Sequence, residues 1–128
     1  MKRELSLLVA VALFTAAAPL AAHHSFSATY FEDKSASLEG QVVEFAFRNP
    51  HSYVILETPG EKGETIRWAI EWASGRTLSA QGVTPESLKA FDRVVITGSP
   101  GRNPADHRLR MRSITRPSDG WKWIGTFQ

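Results

Sequence analysis

Glu64-Thr65-Ile66-Arg67-Trp68-Ala69-Ile70-Glu71-Trp72, followed by Ala73-Ser74-Gly75-Arg76-Thr77-Leu78-Ser79-Ala80-Gln81-Gly82, is the stretch on which the fold turns. In its first half Ile66, Trp68, Ile70 and Trp72 alternate with Arg67, Ala69 and Glu71, the period of a half-buried strand. In its second half the period changes. Ser74 is placed to cap a short helix through Gln81, and Gly82 to stop it. Thr84-Pro85-Glu86 then sets a capping residue ahead of a proline at a first helical position, predicting another helical turn to about Ala90.

Strand signals lie on both sides of this insert. Upstream, Leu38, Gly40 and Val42 alternate with Glu39 and Gln41. Gly40 and a parity shift near Val42-Val43 predict a bend or bulge within this strand of residues 38–47. Arg48-Asn49-Pro50-His51 interrupts the pattern, because proline lacks a backbone donor and restrains the residue before it. Residues 52–58 resume it. Downstream, residues 92–99 and 108–115 read as strands, the second alternating Leu109 and Met111 with Arg108, Arg110 and Arg112. Pro117 to Gly120 reads as a turn into a last short strand from Trp121 to Phe127.

Three strands, a helical insert and two strands form the element order of an OB-fold, a small Greek-key barrel. The expectation is therefore a mainly β chain: a small OB-fold-like antiparallel barrel with a short helical insert between strands 3 and 4. The alternative is a generic antiparallel sandwich.

Residues 1–22 stand apart. Lys2 and Arg3 precede an apolar run from Leu5 to Phe14 and a tail of small residues, the order of a secretory signal peptide. A transmembrane anchor needs about 20 apolar residues, roughly twice that run. Cleavage between Ala22 and His23 fits best; the cuts after Ala21 and Ala18 each put Pro19 at an unfavourable position. The expected organisation is a signal peptide over 1–22, an N-terminal arm over 23–36 carrying Phe26, Tyr30 and Phe31, and the barrel domain over 37–128. The expected location is the periplasm, with no stable membrane insertion after cleavage.

The whole chain has 128 residues, 15 Lys and Arg against 13 Asp and Glu, and no cysteine. Removal of residues 1–22 leaves 13 basic against 12 acidic side chains, a net charge of +1. Such balance does not argue for a polyanion, and no nucleic-acid partner is expected. Disulfides and thiolate metal sites are excluded by composition.

The AHHSF segment at 22–26, Asn49-Pro50-His51-Ser52-Tyr53, the strand Trp68-Ala69-Ile70-Glu71 and the helix start between Gly82 and Leu88 carry a resemblance. Together they resemble a family of uncharacterised small secreted proteobacterial proteins. The resemblance spans most of the mature chain and implies a periplasmic setting and an OB-like barrel. It brings no catalytic residue with it, and His107 is not part of it.

The chemistry on offer is that of four histidines: His23, His24, His51 and His107. Imidazole is the commonest ligand for copper, zinc and nickel, but no structural-zinc spacing or HExxH motif is present. Position is what distinguishes them. An N-terminal histidine can chelate through its amine and ring together, an arrangement suited to square-planar Cu(II) or Ni(II). His51 and His107 fall in the loops that frame the binding face of an OB-fold. The competing reading makes His23 and His24 a solvated tail, His51 a turn residue beside Pro50 and His107 an ordinary loop residue.

Arg48, Tyr53 and Trp68 are weaker candidates for contacting an anionic, sugar or protein ligand. Alternating tryptophans more often face a core. Glu57 and Glu71 have no partner identifiable by spacing, and no nucleophile motif occurs. The sequence therefore leans against an enzyme. It points to an exported small binding protein for copper or another divalent metal or, alternatively, a metal-free module for a protein, sugar or anionic ligand.

Overall fold

The computed structural model describes residues 24–125, with the side chains of His24 and Ser25 outside that description. Helix α1 (His24–Thr29) leads into strand β1 (Ala36–Ala46), followed by β2 (Tyr53–Pro59) and β3 (Thr65–Glu71). Helix α2 (Gly75–Ala80) precedes β4 (Arg93–Pro100), β5 (Arg108–Arg116) and β6 (Trp121–Ile124). The sheet order is β3-β2-β1-β4-β5-β6, and an additional pairing of β3 with β5 closes five strands into a barrel. That closing pair is parallel, Ala69 to Glu71 against Arg108 to Arg110, while all the others are antiparallel. Five strands closed in this order, with a helix between β3 and β4, are an OB-fold.

One strand serves two partners. Residues Ala36 to Gln41 of β1 pair with β4, and Gln41 to Ala46 pair with β2. A register shift between Val42 and Glu44 falls where the parity of the sequence changes. The resulting bend carries the strand round the barrel. Gly40 lies against β2, where a Cβ would stand 2.3 Å from the Glu57 carbonyl oxygen, so no larger residue fits there.

Val42, Val54, Leu56, Ile70, Val94, Ile96, Leu109 and Ile114 fill the interior, each at most 1% exposed. Leu78 of α2 joins this core at 0% exposure. The Ser74 cap forms as the sequence implies, its Oγ accepting from Thr77 N at 3.1 Å. Burying a leucine-sized side chain contributes about 1.5–3 kcal/mol, so α2 is held mainly by Leu78 rather than by its own six residues.

Two expectations are refined. The helical turn from Thr84 to Ala90 is instead a run of turns and bends. Ser87 Oγ accepts from Thr84 N, and Asp92 Oδ2 from Lys89 N, so side chains hold donors there in place of a helical ladder. The N-terminal arm contains helix α1 and is anchored by its rings: Tyr30 is fully buried and bridges to Gly101. Among the described residues no helix is long and apolar enough to cross a membrane.

Candidate functional site

The β1–β2 loop is fixed at both ends by short polar links. Ser52 Oγ accepts from Arg48 N and donates to Arg48 O, each at 3.1 Å. Ser52 and the 72–73 backbone exchange two further bonds, Ser52 N to Ala73 O and Trp72 N to Ser52 O. Asn49 Oδ1 accepts from Arg76 N, tying the loop to α2, and the Asn49–Pro50 peptide bond is cis. This wiring sets His51 over the end of β3.

There it meets Glu71. The Glu71 carboxylate is almost wholly enclosed, the residue being 7% exposed. The Tyr30 hydroxyl donates to its Oε2 at 2.5 Å. His51 Nδ1 lies 3.3 Å from Oε1, and Arg108 Nη2 lies 3.9 Å from Oε2. A buried carboxylate is costly unless paired and hydrogen-bonded, and three elements supply what Glu71 requires. Burial, reinforced by the bond to Glu71, raises the Tyr30 phenol well above its ordinary value of about 10. Tyr30 therefore stays a donor at neutral pH.

The arm covers this cluster from outside. Phe26 of α1 meets the His51 ring edge-on, with centroids 5.6 Å apart. The Arg110 guanidinium sits 3.7 Å over the same Phe26 ring and bonds Glu32 at 3.2 Å. Arg112 Nη2 donates to the Glu32 carbonyl, and Arg102 Nε to the Ser27 carbonyl. Two of the arginines that alternate along β5, Arg110 and Arg112, thus hold the arm down together with Arg102 of the preceding loop.

Beside His51 opens a cleft of about 440 Å³, within the usual range for small-ligand sites. Phe26, Trp72, Trp123 and Arg110 line it together with Ser74, Thr77 and Gln81 of the α2 region. Trp72 is 3% exposed and packs against Phe45 and Trp123, yet its Nε1 finds no hydrogen-bond partner among the described residues. By contrast Trp123 Nε1 donates to Gln81 Oε1 at 2.8 Å.

The sequence candidates separate. His51 is in the cluster. His107 is not: it ends a 3₁₀ turn (Pro104–Asp106) in a left-handed conformation, and its ring packs against Trp68 at 5.2 Å. Trp68 is half-buried, with Nε1 donating to Thr58 Oγ1. Trp68 also lines a smaller cavity of about 230 Å³, together with Phe31 and Arg108. Arg48 lies over the Tyr53 ring at 5.3 Å. His23 lies outside the described residues, and His24 begins α1. Among the described residues no group of three or more histidine, cysteine, aspartate or glutamate side chains is gathered as a metal site.

Sequence reasoning leaves Glu71 without a partner and Tyr30 as one ring of the arm, and does not join them. The partners are 41 residues apart, so spacing could not link them. The available signal was Tyr30 in an otherwise irregular arm, since a buried tyrosine hydroxyl usually requires a partner.

Among solved structures the chain is similar to a dimeric structure of the N-terminal domain of PriB protein from Thermoanaerobacter tencongensis. The two share 22% identity at a TM-score of 0.46, over 66% of this chain and 96% of that one. Among curated proteins none matches. A model described as a family of unknown function, DUF6152, matches residues 10–110. On that match, which takes in the arm, the His51 loop and the Glu71 strand, the chain belongs to the DUF6152 family.

Proposed function

We propose that this is an exported, periplasmic small binding module whose mature N-terminus binds one Cu(II). The ion is chelated by the α-amine and ring of His23, with His24 or His51 completing the site. Export is supported by the Lys2-Arg3 start, the apolar run and the small-residue tail. The observation that carries the metal reading is the contact of Phe26 with His51. Phe26 follows His23 by three residues, which span at most roughly 10 Å of chain. A connection that short supports a site shared by the mature amine and the His51 imidazole. Nitrogen donors of this kind suit tetragonal Cu(II).

Binding must displace protons, because an amine or imidazole ligates a metal only in its unprotonated form, so affinity falls as pH falls. The test compares mature protein beginning at His23 with protein carrying one extra residue ahead of it, and with His23→Ala and His51→Ala, by copper titration. Each variant is expected to lose at least tenfold in affinity, about 1.4 kcal/mol. Equal binding by the extended protein overturns the N-terminal site.

A second reading is favoured by the cleft. Its aromatic walls and the Arg110 guanidinium beside them fit a metal-free module that takes a small sugar or anionic ligand. Abolished copper binding in the native protein would move the assignment there.

A further inference from the structure

Strand β5 carries two arginines on one face, and they border different spaces. Arg110 lines the cleft beside His51, whereas Arg108 lines the smaller cavity of about 230 Å³ between the arm and the β4–β5 loop. We infer that this smaller cavity binds a small carboxylic acid with a flat apolar body, of the benzoate type, held as the anion by Lys34 and Arg108. The site is separate from the N-terminal metal and from the larger cleft.

The walls decide the body of the ligand. Phe31, Trp68, Pro100 and Pro104 line the cavity with hydrocarbon. The polar side chains among them are committed elsewhere. Trp68 Nε1 donates to Thr58 Oγ1 at 3.1 Å. The Asn103 amide caps the 3₁₀ turn, accepting from Ala105 N at 3.2 Å and donating to Asp106 Oδ1 at 3.0 Å. A sugar would set its hydroxyls against such walls without partners, which is costly. A flat ring meets no such cost and packs well against aromatic side chains.

The charges decide the head group. Lys34 and Arg108 both line the cavity, and among the described residues no carboxylate does. Lys34 Nζ stands 4.0 Å from the Phe31 ring centre, and among the described residues no carboxylate lies at ion-pair distance from it. Arg108 reaches only Glu71, at 3.9 Å, and that carboxylate is already engaged by Tyr30 and His51. A third cation, Arg102, lies 4.6 Å from the centre of the same Phe31 ring. A guanidinium can grip a carboxylate through paired N–H donors, and a lysine adds a point charge beside it.

The cavity is also built without an occupant. Phe31 N donates to Pro100 O and Gly101 N to Arg108 O, each at 2.9 Å, and Tyr30 bridges to Gly101. Backbone bonds therefore position Phe31, Pro100 and Arg108, and binding carries little ordering cost. A volume of about 230 Å³ is below that of most drug-sized sites, which limits the occupant to roughly one ring and its carboxylate.

The test titrates ¹⁵N-labelled mature protein with benzoate and follows ¹H–¹⁵N correlation spectra. Saturable shifts are expected at the Trp68 indole and the Gly101 amide, with the Trp123 indole of the larger cleft unmoved. Benzamide, which keeps the ring without the charge, and acetate, which keeps the charge without the ring, should each bind at least about tenfold more weakly. Lys34→Gln is expected to lower benzoate affinity about two- to fivefold, the scale of an exposed ion pair, and Arg108→Gln about tenfold. Arg93→Gln, which removes an exposed cation elsewhere on the barrel, should leave it unchanged. Lys34 is exposed, so its substitution leaves the fold intact even if loss of Arg108 disturbs the surroundings of Glu71.

Shifts that saturate at the Trp123 indole instead of Trp68 overturn the location. Equal binding of benzamide overturns the anionic head group, and equal binding of acetate the flat apolar body. Equal affinities in Lys34→Gln and Arg93→Gln overturn Lys34 as a ligand-binding residue. Absence of any saturable shift with benzoate overturns the site itself. None of these outcomes involves a metal, so they are distinct from the result of the copper titration.

Discussion

Strand β5 begins and ends in a polar knot, and the two knots are built on opposite plans. At its end, Arg116 donates to Asp92 and to the Ser87 carbonyl at 2.8 Å, and to Asp119 at 2.9 Å. The centre is a cation, and its anionic partners keep 24% and 52% of their side-chain surface exposed. Near the strand's start, the centre is an anion, Glu71, with 9% of its side-chain surface exposed. Its partners come from the arm, the β1–β2 loop and β5. The Arg116 knot joins the turns after α2 and after β5 and leaves its members satisfied by one another. The Glu71 knot encloses a charge at some cost and presents a half-exposed imidazole from it. A fold can be fastened by the first arrangement; the second is also suited to holding something.

Substitutions can break this contrast. Tyr30→Ala should have the largest effect, destabilising by about 3–5 kcal/mol through loss of a fully buried ring. Tyr30→Phe, which keeps the ring but takes a donor from an enclosed carboxylate, should cost about 1–3 kcal/mol. Chemical denaturation measures both. Arg116→Met should cost less, roughly 1 kcal/mol, because water can solvate the carboxylates it leaves behind. If Arg116→Met proves worse than Tyr30→Phe, the Arg116 knot is the more important and the contrast fails.

The smallest effect near neutrality concerns pH. A phenol whose folded value is raised contributes stability that is intact below its unfolded value of about 10 and declines as pH climbs past it. Denaturant midpoints taken from about pH 9 to pH 11.5 should therefore fall more steeply for native protein than for Tyr30→Phe, in which that proton is gone. Parallel curves would mean that Tyr30 is not held neutral by its surroundings.

The barrel was legible because its cause is local. Alternation at Ile66 to Trp72 and Leu109 to Met111, the parity shift at Val42-Val43 and the Ser74 cap each report the backbone within a few residues. The turn after Thr84 was misjudged at the same scale: Pro85 suits a helix start, but Ser87 and Asp92 compete for the donors. The site was legible only in part. Its histidine could be picked out beside Pro50, whereas Glu71 looked like the polar side of an amphipathic strand. It is buried because the arm, through Tyr30, covers that outer face. No periodicity encodes which face a distant segment will cover.

The arm's anchorage also bears on the order of events in folding. It is the first described part of the chain to be synthesised, yet its partners are at Gly101, Arg102, Arg110 and Arg112, beyond most of the barrel. Contacts of such long sequence separation carry a loop-closure cost and tend to form after the nucleus. The arm is then expected to act as a latch, its loss speeding unfolding and leaving the rate of barrel assembly little changed in stopped-flow measurements. A segment that fastens late is also the first to let go, and in this chain it is the segment that lays Phe26 against His51.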